Sequence, residues 1–503
     1  MHVSVYRGDL ASTRADLLVL NLFSDVKEPG GATNALDRAL GGLITKLIHE
    51  EEFQGKEGHS LLFRTLGKIP ARWVLVVGLG DRRRFGLETV RRAAGFSVRK
   101  AKEIGAREIK SVLHGAGVGG LAARGLARAM TEGALLANYR FTKFKREDAE
   151  REKKRGLRSF IIVEQNQTKV GQAEKGIREG VVEAGGVLYA RELVNEPALH
   201  MTPSSLAARA RDIATASRGK IKIKIHDKAA LAKMGAGGII AVGQGSDHPP
   251  VLVHLTWKPA RAKCRIALVG KAITFDSGGL SLKPSDAMVT MKCDMAGAAA
   301  VLGVFSVLTA LNPRIEIHGI FAACENMPSG TAIRPGDIVR TMNGKTIEIL
   351  NTDAEGRVTL ADSLHYACRL KPDYVIDLAT LTGACVVALG ELLAGLMTND
   401  SRLGTKLKMA AGESGEYIWE LPLPREYREL ILSKFADVKN ITGSRWGGAL
   451  TAGLFLKEFV GEVPWAHLDI AGPAFAEQEV IPYVPLGGTG FGVRTLIHFL
   501  QNL

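Results

Sequence analysis

Apolar positions along the chain follow two rhythms. Short runs such as Asp16-Leu17-Leu18-Val19-Leu20-Asn21-Leu22 and Trp73-Val74-Leu75-Val76-Val77-Gly78 have the length and branched content of buried strands. Stretches near 87–104 and 121–138 carry helical spacing. This alternation predicts an α/β domain with a mixed or parallel sheet over residues 1–165. A further strand is predicted from Ser159 to Val163, and a long helical pattern from about Lys169 to Val194 reads as a connector over 166–194. It stops at Asn195-Glu196-Pro197, because proline disfavours helix in the residue before it. The alternation then resumes with helix 203–217, strand 221–225, a glycine-rich loop at 235–246, and strands 251–257 and Arg265 to Gly270. Helix 296–311, strand 315–323, helix 356–370 and strand Asp373 to Leu378 continue it. Asn343-Gly344, between the alternating stretches Asp337 to Arg340 and Thr346 to Leu350, predicts a β-hairpin. The expected fold class is α/β: a smaller N-terminal α/β domain, then a larger α/β domain over 195–503 with a central mixed sheet flanked by helices.

Composition narrows the class. An apolar fraction of 46% and a charged fraction of 23% over 503 residues describe a folded chain with room for two sizeable cores. Cys264, Cys293, Cys324, Cys368 and Cys385 contain no C-x-x-C pair, which points to reduced thiols and a cytoplasmic setting. Met1 to Asp9 lacks a charged segment followed by an apolar one, so no secretion signal is expected. Met295 to Leu311 is the longest uncharged apolar run; its length favours a buried core helix over a membrane span, and no membrane association is expected.

The net charge of +14 is uneven. Residues 1–158 hold 30 Lys/Arg against 18 Asp/Glu, and the remainder holds 36 against 34. A basic N-terminal domain suits a polyanion such as DNA, with Arg82-Arg83-Arg84, Arg91-Arg92 and the run 140–158 as candidate phosphate contacts; it equally suits solubility alone. The mixed signs of 140–158 describe a solvated surface segment. Gly78-Leu79-Gly80-Asp81 lacks the third glycine of a dinucleotide fingerprint. Val339 stands where a phosphate-binding loop ending at Gly344-Lys345-Thr346 needs glycine.

Chemistry concentrates in two stretches. Asn351-Thr352-Asp353-Ala354-Glu355-Gly356-Arg357 places two carboxylates and a guanidinium ahead of an apolar-periodic helix, as an ordinary helix start also would. Upstream, Lys271 and Asp276 follow a strand expected to be buried, Lys283 comes next, and Asp294 precedes the apolar helix. Loops leaving the carboxyl ends of strands form ligand sites in α/β sheets, so Asp276, Asp294, Asp353 and Glu355 are expected to converge at one edge of the sheet. Four such carboxylates do not all ionise in a partly buried site without cations. One or two divalent ions, with Mn²⁺, Mg²⁺ and Zn²⁺ all open, are the natural compensation. Lys271 is either a neutral-amine ligand or the partner of Asp276 in a simple ion pair. Two metals about 3.5–4 Å apart share a water, lower its pKa and hold a carbonyl. Lys283 and Arg357 are then either cations serving an oxyanion and an anionic base or substrate carboxylate, or structural neutralisers.

Val269 to Gly279, Met291-Lys292-Cys293-Asp294-Met295 and Asn351 to Arg357 together resemble the signature segments of the leucyl (cytosol) aminopeptidase family. So do Asn195-Glu196-Pro197, Glu325 to Gly330, Arg334-Pro335-Gly336-Asp337, Trp465 to Gly472 and Thr489 to Arg494. The resemblance is dense over 190–503 and extends to 1–165 only in general plan. It implies a dinuclear metallo-exopeptidase that removes N-terminal residues, leucine and other mostly apolar ones, and assembles as a homohexamer. By motif position Lys271, Asp276, Asp294 and Glu355 correspond to ligands of the tighter metal. Asp276, Asp353 and Glu355 correspond to ligands of the exchangeable one, with Asp353 adding its carbonyl. Lys283 corresponds to the carbonyl-polarising lysine and Arg357 to the arginine that holds a bicarbonate acting as general base. Met291 and the segment Ala379 to Gly383, including Thr380 and Leu381, correspond to walls of the pocket for the first side chain. The free amine of the peptide would bind a metal. Some bacterial members also bind DNA. Ala272 and Val358 depart from the usual glycine and leucine without removing a ligand.

Overall fold

The computed structural model describes residues 1–26, 28–117 and 120–503, which form two compact units. One comprises Met1–Ala184 with Gln478–Pro485, the other Gly185–Glu477 with Leu486–Leu503.

The first unit carries a six-stranded sheet. Its strands are β1 (His2–Arg7), β2 (Leu17–Leu22), β3 (Ser60–Arg64), β4 (Trp73–Gly78), β5 (Glu108–Val112) and β6 (Ser159–Glu164), in the order β1-β6-β5-β2-β4-β3. All neighbours are parallel except β3, which runs antiparallel to β4. The helices are α1 (Gly31–Ala39), α2 (Leu43–Glu50), α3 (Leu87–Glu103), α4 (Ala123–Asn138) and α5 (Arg146–Arg155). Leu18, Leu20 and Leu22 pack with Leu36, Leu40, Ile44 and Ile48 of α1 and α2. Leu17 and Val19, equally buried, point to the opposite face by strand alternation. A strand buried on both faces reads as a continuous apolar run, as β2 does. Between α3 and α4, the guanidinium of Arg91 is 1% exposed and held by Glu132 (Nε–Oε2 2.7 Å) and Glu88 (Nη1–Oε2 2.5 Å). Arg91 is therefore a core cation and not the surface phosphate contact its sequence position suggests. Arg82, Arg83 and Arg92 pair with Asp25, Asp81 and Glu88. The run 140–158 contains α5, none of whose residues is buried.

The helix α6 (Gln167–Asn195) runs from the first unit into the second. The second unit holds an eight-stranded mixed sheet, built from β7 (Ile221–His226), β8 (Val251–Trp257), β9 (Arg265–Asp276), β10 (Glu316–Asn326), β13 (Tyr374–Ala379), β14 (Leu393–Thr398), β15 (Tyr417–Glu420) and β17 (Trp465–Asp469). A hairpin of β11 (Ile338–Arg340) and β12 (Thr346–Glu348), with β16 (Val438–Lys439), forms a small separate sheet. The large sheet has the order β15-β14-β17-β13-β9-β10-β8-β7. Its centre, β10-β9-β13-β17, is parallel. Helices α7 (Pro203–Ala216), α8 (Lys228–Lys233) and α9 (Gly237–Gly243), the single turn α10 (Ser285–Met288), α11 (Ala296–Leu311), α12 (Gly356–Cys368) and α13 (Gly383–Leu389) surround it, with further helices later in the chain.

Three sequence expectations change. The glycine-rich stretch 235–246 is largely helical, as α9, because Ile239 and Val242 are buried against α12 and β10. The strand expected to end at Gly270 continues to Asp276, so Lys271 and Asp276 lie within β9 rather than after it. Of the four carboxylates, only Asp276 stands at the carboxyl end of a large-sheet strand, the central β9; Asp294 follows a tight turn, and Asp353 and Glu355 come after the small-sheet strand β12. The apolar run at 295–311 is a core helix, with Ala298 to Leu302 fully buried. Ser285–Leu311 has the length and apolarity to cross a membrane, but 78% of its most apolar window lies inside the fold. Two glycines bring α11 onto the sheet. A Cβ on Gly270 would lie 2.5 Å from Ala298 N, and one on Gly297 would lie 2.0 Å from Leu378 O. That approach fixes Asp294, two residues before α11, over the carboxyl ends of β9 and β13.

Candidate metal centre

Each candidate carboxylate is presented where a regular element starts or stops, while Lys271 reaches the cluster from within β9. Asp276 is the last residue of β9, and Asp294 follows the tight turn Met291–Cys293. Asp353 and Glu355 lie in the segment ahead of α12, with Glu355 at its N-cap. One carboxylate oxygen from each of Asp276, Asp353 and Glu355 lies within 4.8 Å of the others. Asp294 joins through Lys271, whose Nζ is 2.7 Å from Asp294 Oδ1 and 2.9 Å from Glu355 Oε1. Lys271 thus pairs with Asp294 and Glu355 rather than with Asp276, the partner that sequence proximity offered. Asp276 Oδ2 is 2.8 Å from Lys283 Nζ, and Lys283 also contacts Asp353.

Space for Lys271 comes from Gly356. A Cβ there would sit 2.4 Å from Lys271 Cε and 2.7 Å from Nζ. The glycine of the sequence Glu355-Gly356-Arg357 is thereby explained by the side chain passing beneath it.

Four carboxylates face two ammonium groups, which leaves an excess of negative charge in a largely buried space. Burial pushes the Glu355 carboxyl up to about 8, with repulsion from Asp276 and Asp294 adding to it against the pull of Lys271. Burial likewise raises Asp294 to about 6 against the pull of Lys271. Asp353 is raised, again chiefly by burial. Burial works against the ammonium of Lys271, but Asp294, Glu355 and Asp276 outweigh it and hold the group protonated. Lys283 is held protonated in the same way by Asp276 and Asp353. Arg357 is brought down to about 10 by burial. Its Nη1 donates to Asn440 O at 2.9 Å, while its Nε is buried and has no hydrogen-bond partner among the described residues.

The residues fit a divalent pair. Asp294 Oδ2 and Glu355 Oε2 are buried and accept no hydrogen bond among the described residues, and a buried carboxylate oxygen left without a donor is costly unless a cation meets it. The donor set is oxygen plus one amine, and nearby cation charge favours the neutral form of that amine.

Several supporting residues carry no obvious ligand signal in the sequence. Asn326 donates from Nδ2 to Asp276 Oδ1 (2.8 Å) and to Thr352 O (3.0 Å), fixing the first carboxylate against the second loop. Thr380, expected only as a pocket wall, donates its hydroxyl to Asp294 Oδ1 at 2.7 Å, and its carbonyl accepts from Lys271 Nζ at 2.9 Å. Asn440 ties the ligand loop down through Nδ2 to Asn351 O (2.6 Å) while its own carbonyl holds Arg357. The other expected pocket residues stand on adjoining segments: Met291 opens the turn before Asp294, Leu381 donates its N–H to Asp469 Oδ1 at 3.2 Å, and Gly383 begins α13.

Known proteins resemble this chain over its whole length. The family model described as the catalytic domain of the cytosol aminopeptidase family matches residues 188–497, and that of the family's N-terminal domain matches 19–148. A probable cytosol aminopeptidase of Persephonella marina is 43% identical, with both chains covered in full. One from Alkaliphilus oremlandii is 42% identical over the same extent. A solved leucine aminopeptidase mutant from tomato superposes with a TM-score of 0.89 at 36% identity, covering 100% of this chain and 96% of that one. The bottromycin maturation enzyme BotP in complex with Mn superposes with a TM-score of 0.84 at 37% identity, covering 97% of this chain and 99% of that one.

The raised carboxyls set a pH dependence. Without cations, the protonated forms of Asp294 and Glu355 favour the folded state, and that contribution is lost as pH rises through about 6 and about 8. Cations bind the ionised forms and restore it. The rise in melting temperature on adding Mn²⁺ should therefore grow between those pH values, measured by differential scanning fluorimetry. An increment that is flat or shrinks over that interval contradicts this charge balance.

Proposed function

The chain belongs to the cytosol aminopeptidase family and is a metal-dependent aminopeptidase, a hydrolase; on that premise we propose which residues do the work and on what. The substrates are peptides with a free N-terminus, cut after the first residue, with leucine and other mostly apolar side chains preferred. Lys271, Asp276, Asp294, Asp353 and Glu355 hold two divalent cations. Mn²⁺ is favoured by the Mn in BotP, with Zn²⁺ and Mg²⁺ as alternatives. Bound there, the cations supply an acidified water and a Lewis-acid contact for the scissile carbonyl, and a bicarbonate supplies the general base. The observation that carries this reading is the buried excess of carboxylates over ammonium groups, with Asp294 Oδ2 and Glu355 Oε2 lacking any donor among the described residues.

The chain's own groups then have distinct tasks. Lys283, anchored by Asp276 and Asp353 at the rim of the cluster, donates to the carbonyl oxygen as it gains charge. Arg357 keeps one nitrogen on Asn440 O and presents the rest of its guanidinium to the bicarbonate. Met291, Thr380, Leu381 and Gly383 line the pocket for the departing residue's side chain. A homohexamer in the cytoplasm follows from the family resemblance.

A second role, DNA binding by the basic first unit, is favoured by one observation. No residue of α5 is buried, and the helix ends in the exposed Lys153, Lys154 and Arg155, a set suited to phosphates.

Hydrolysis of leucine amide with added Mn²⁺ should fall by at least about 10²-fold in the double variant Asp353→Ala, Glu355→Ala; full activity in that variant would sink the assignment. The parent should be activated by added bicarbonate, and Arg357→Ala should lose that response together with about 10²-fold in kcat. A variant that still responds to bicarbonate removes Arg357 from its role. For the second role, retardation of duplex DNA should weaken as salt rises and disappear when Lys153, Lys154 and Arg155 become Ala. The absence of any retardation at low salt ends that reading.

A further inference from the structure

The first unit contains a crevice of about 500 Å³ that the peptidase reaction does not use. It lies at the carboxyl ends of β1, β2, β5 and β6, lined by residues such as Leu10, Leu22, Val112 and Val163. Its place in the topology matters. β2 and β5 are neighbours, yet the chain leaves β2 toward β4 and leaves β5 toward β6, in opposite directions along the sheet. Between them is a topological switch point, where open α/β sheets form ligand crevices because successive connections part to opposite sides. Its volume falls in the range of small-molecule sites and far exceeds the space of a single anion.

The walls carry three kinds of group. Asp9 offers a carboxylate whose Oδ1 accepts from Ala11 N and Gln165 Nε2 and whose Oδ2 accepts nothing among the described residues. Lys169 lines the crevice, and no carboxylate among the described residues pairs with its ammonium. Gly30, Gly31 and Ala32 line it from the start of α1, where no side chain caps the helix and the first internal bond is Asn34 N to Gly30 O. The N–H groups of residues 31–33 are thus available to an outside acceptor. A Cβ on Gly30 or Gly31 would meet nothing within 4 Å, so the backbone fronts open space. Phe23, Val26 and Leu36 supply apolar wall.

We propose that this crevice binds a phosphorylated nucleoside. The phosphates lie against the start of α1 and Lys169, hydroxyl or amino donors meet Asp9, and the base rests on the apolar wall. This site is independent of the metal centre and of the peptidase reading.

The test is isothermal titration of the full-length, metal-loaded enzyme with ADP, adenosine and inorganic phosphate. ADP should bind saturably, in the micromolar to millimolar range, and at least about tenfold more tightly than either adenosine or phosphate. Ala32→Glu places a negative charge in the first turn of α1, where it suits the helix dipole and so preserves the fold, but opposes phosphate. It should weaken ADP by at least about tenfold while leaving leucine amide hydrolysis unchanged, and Lys169→Ala should weaken ADP as well. Four outcomes overturn the proposal: no saturable ADP binding, adenosine binding as tightly as ADP, phosphate alone matching ADP, or displacement of ADP by duplex DNA, which would assign the surface to nucleic acid.

Discussion

Everything at the metal centre depends on one electrostatic constraint: carboxylates gathered where water cannot screen them. Among the described residues, Asp276, Asp294, Asp353 and Glu355 meet only two ammonium groups, those of Lys271 and Lys283. Without cations, burial and mutual repulsion raise the carboxyls of Asp294 and Glu355, and both lysines are kept charged. On the proposed reading, divalent ions take the place of protons with little rearrangement, since oxygens of Asp276, Asp353 and Glu355 already lie together. The arrangement is also unstable to the loss of any one partner, because removing one side of a buried pair leaves the other uncompensated.

The scaffold makes that gathering possible through a few close contacts. Gly270 and Gly297 let α11 press onto β9 and β13, which sets Asp294 over the strand ends. Gly356 opens the passage that Lys271 occupies. Asn326 and Asn440 lock the two loops whose carboxylates must meet. Function here is placed by backbone proximity at glycine, while the polar side chains hold the result. The first unit is built on the same logic of parallel strands, but its core cation Arg91 is balanced within the fold by Glu132 and Glu88 and leaves no charge to be filled.

Much of this was legible in the sequence, for identifiable reasons. β2 and β4 of the first unit read as strands because burial on both faces makes them continuously apolar. The ligand carboxylates stood out because acids beside buried strands and at helix starts need a reason to be there. What local pattern could not reveal was partnership. The choice of Asp294 and Glu355, not Asp276, as the partners of Lys271 depends on a passage beneath Gly356 that spacing does not disclose. The hydroxyl of Thr380 and the carbonyl of Asn440 act from residues far along the chain. The helix α9 hides in a glycine-rich stretch because its stability comes from packing on α12, not from propensity. Arg91 looked like a surface charge because its carboxylate partner Glu132 comes from another helix.

On the proposed reading, the buried carboxylates exist to hold two divalent ions. That reading is tested most directly by counting metal per chain with plasma mass spectrometry after loading with Mn²⁺ and removing the excess. The account predicts about two ions per chain in the parent and about one when Asp294 is replaced by Ala. A parent ratio below one, or a parent-like ratio after Asp294 and Glu355 are both replaced by Ala, would contradict it.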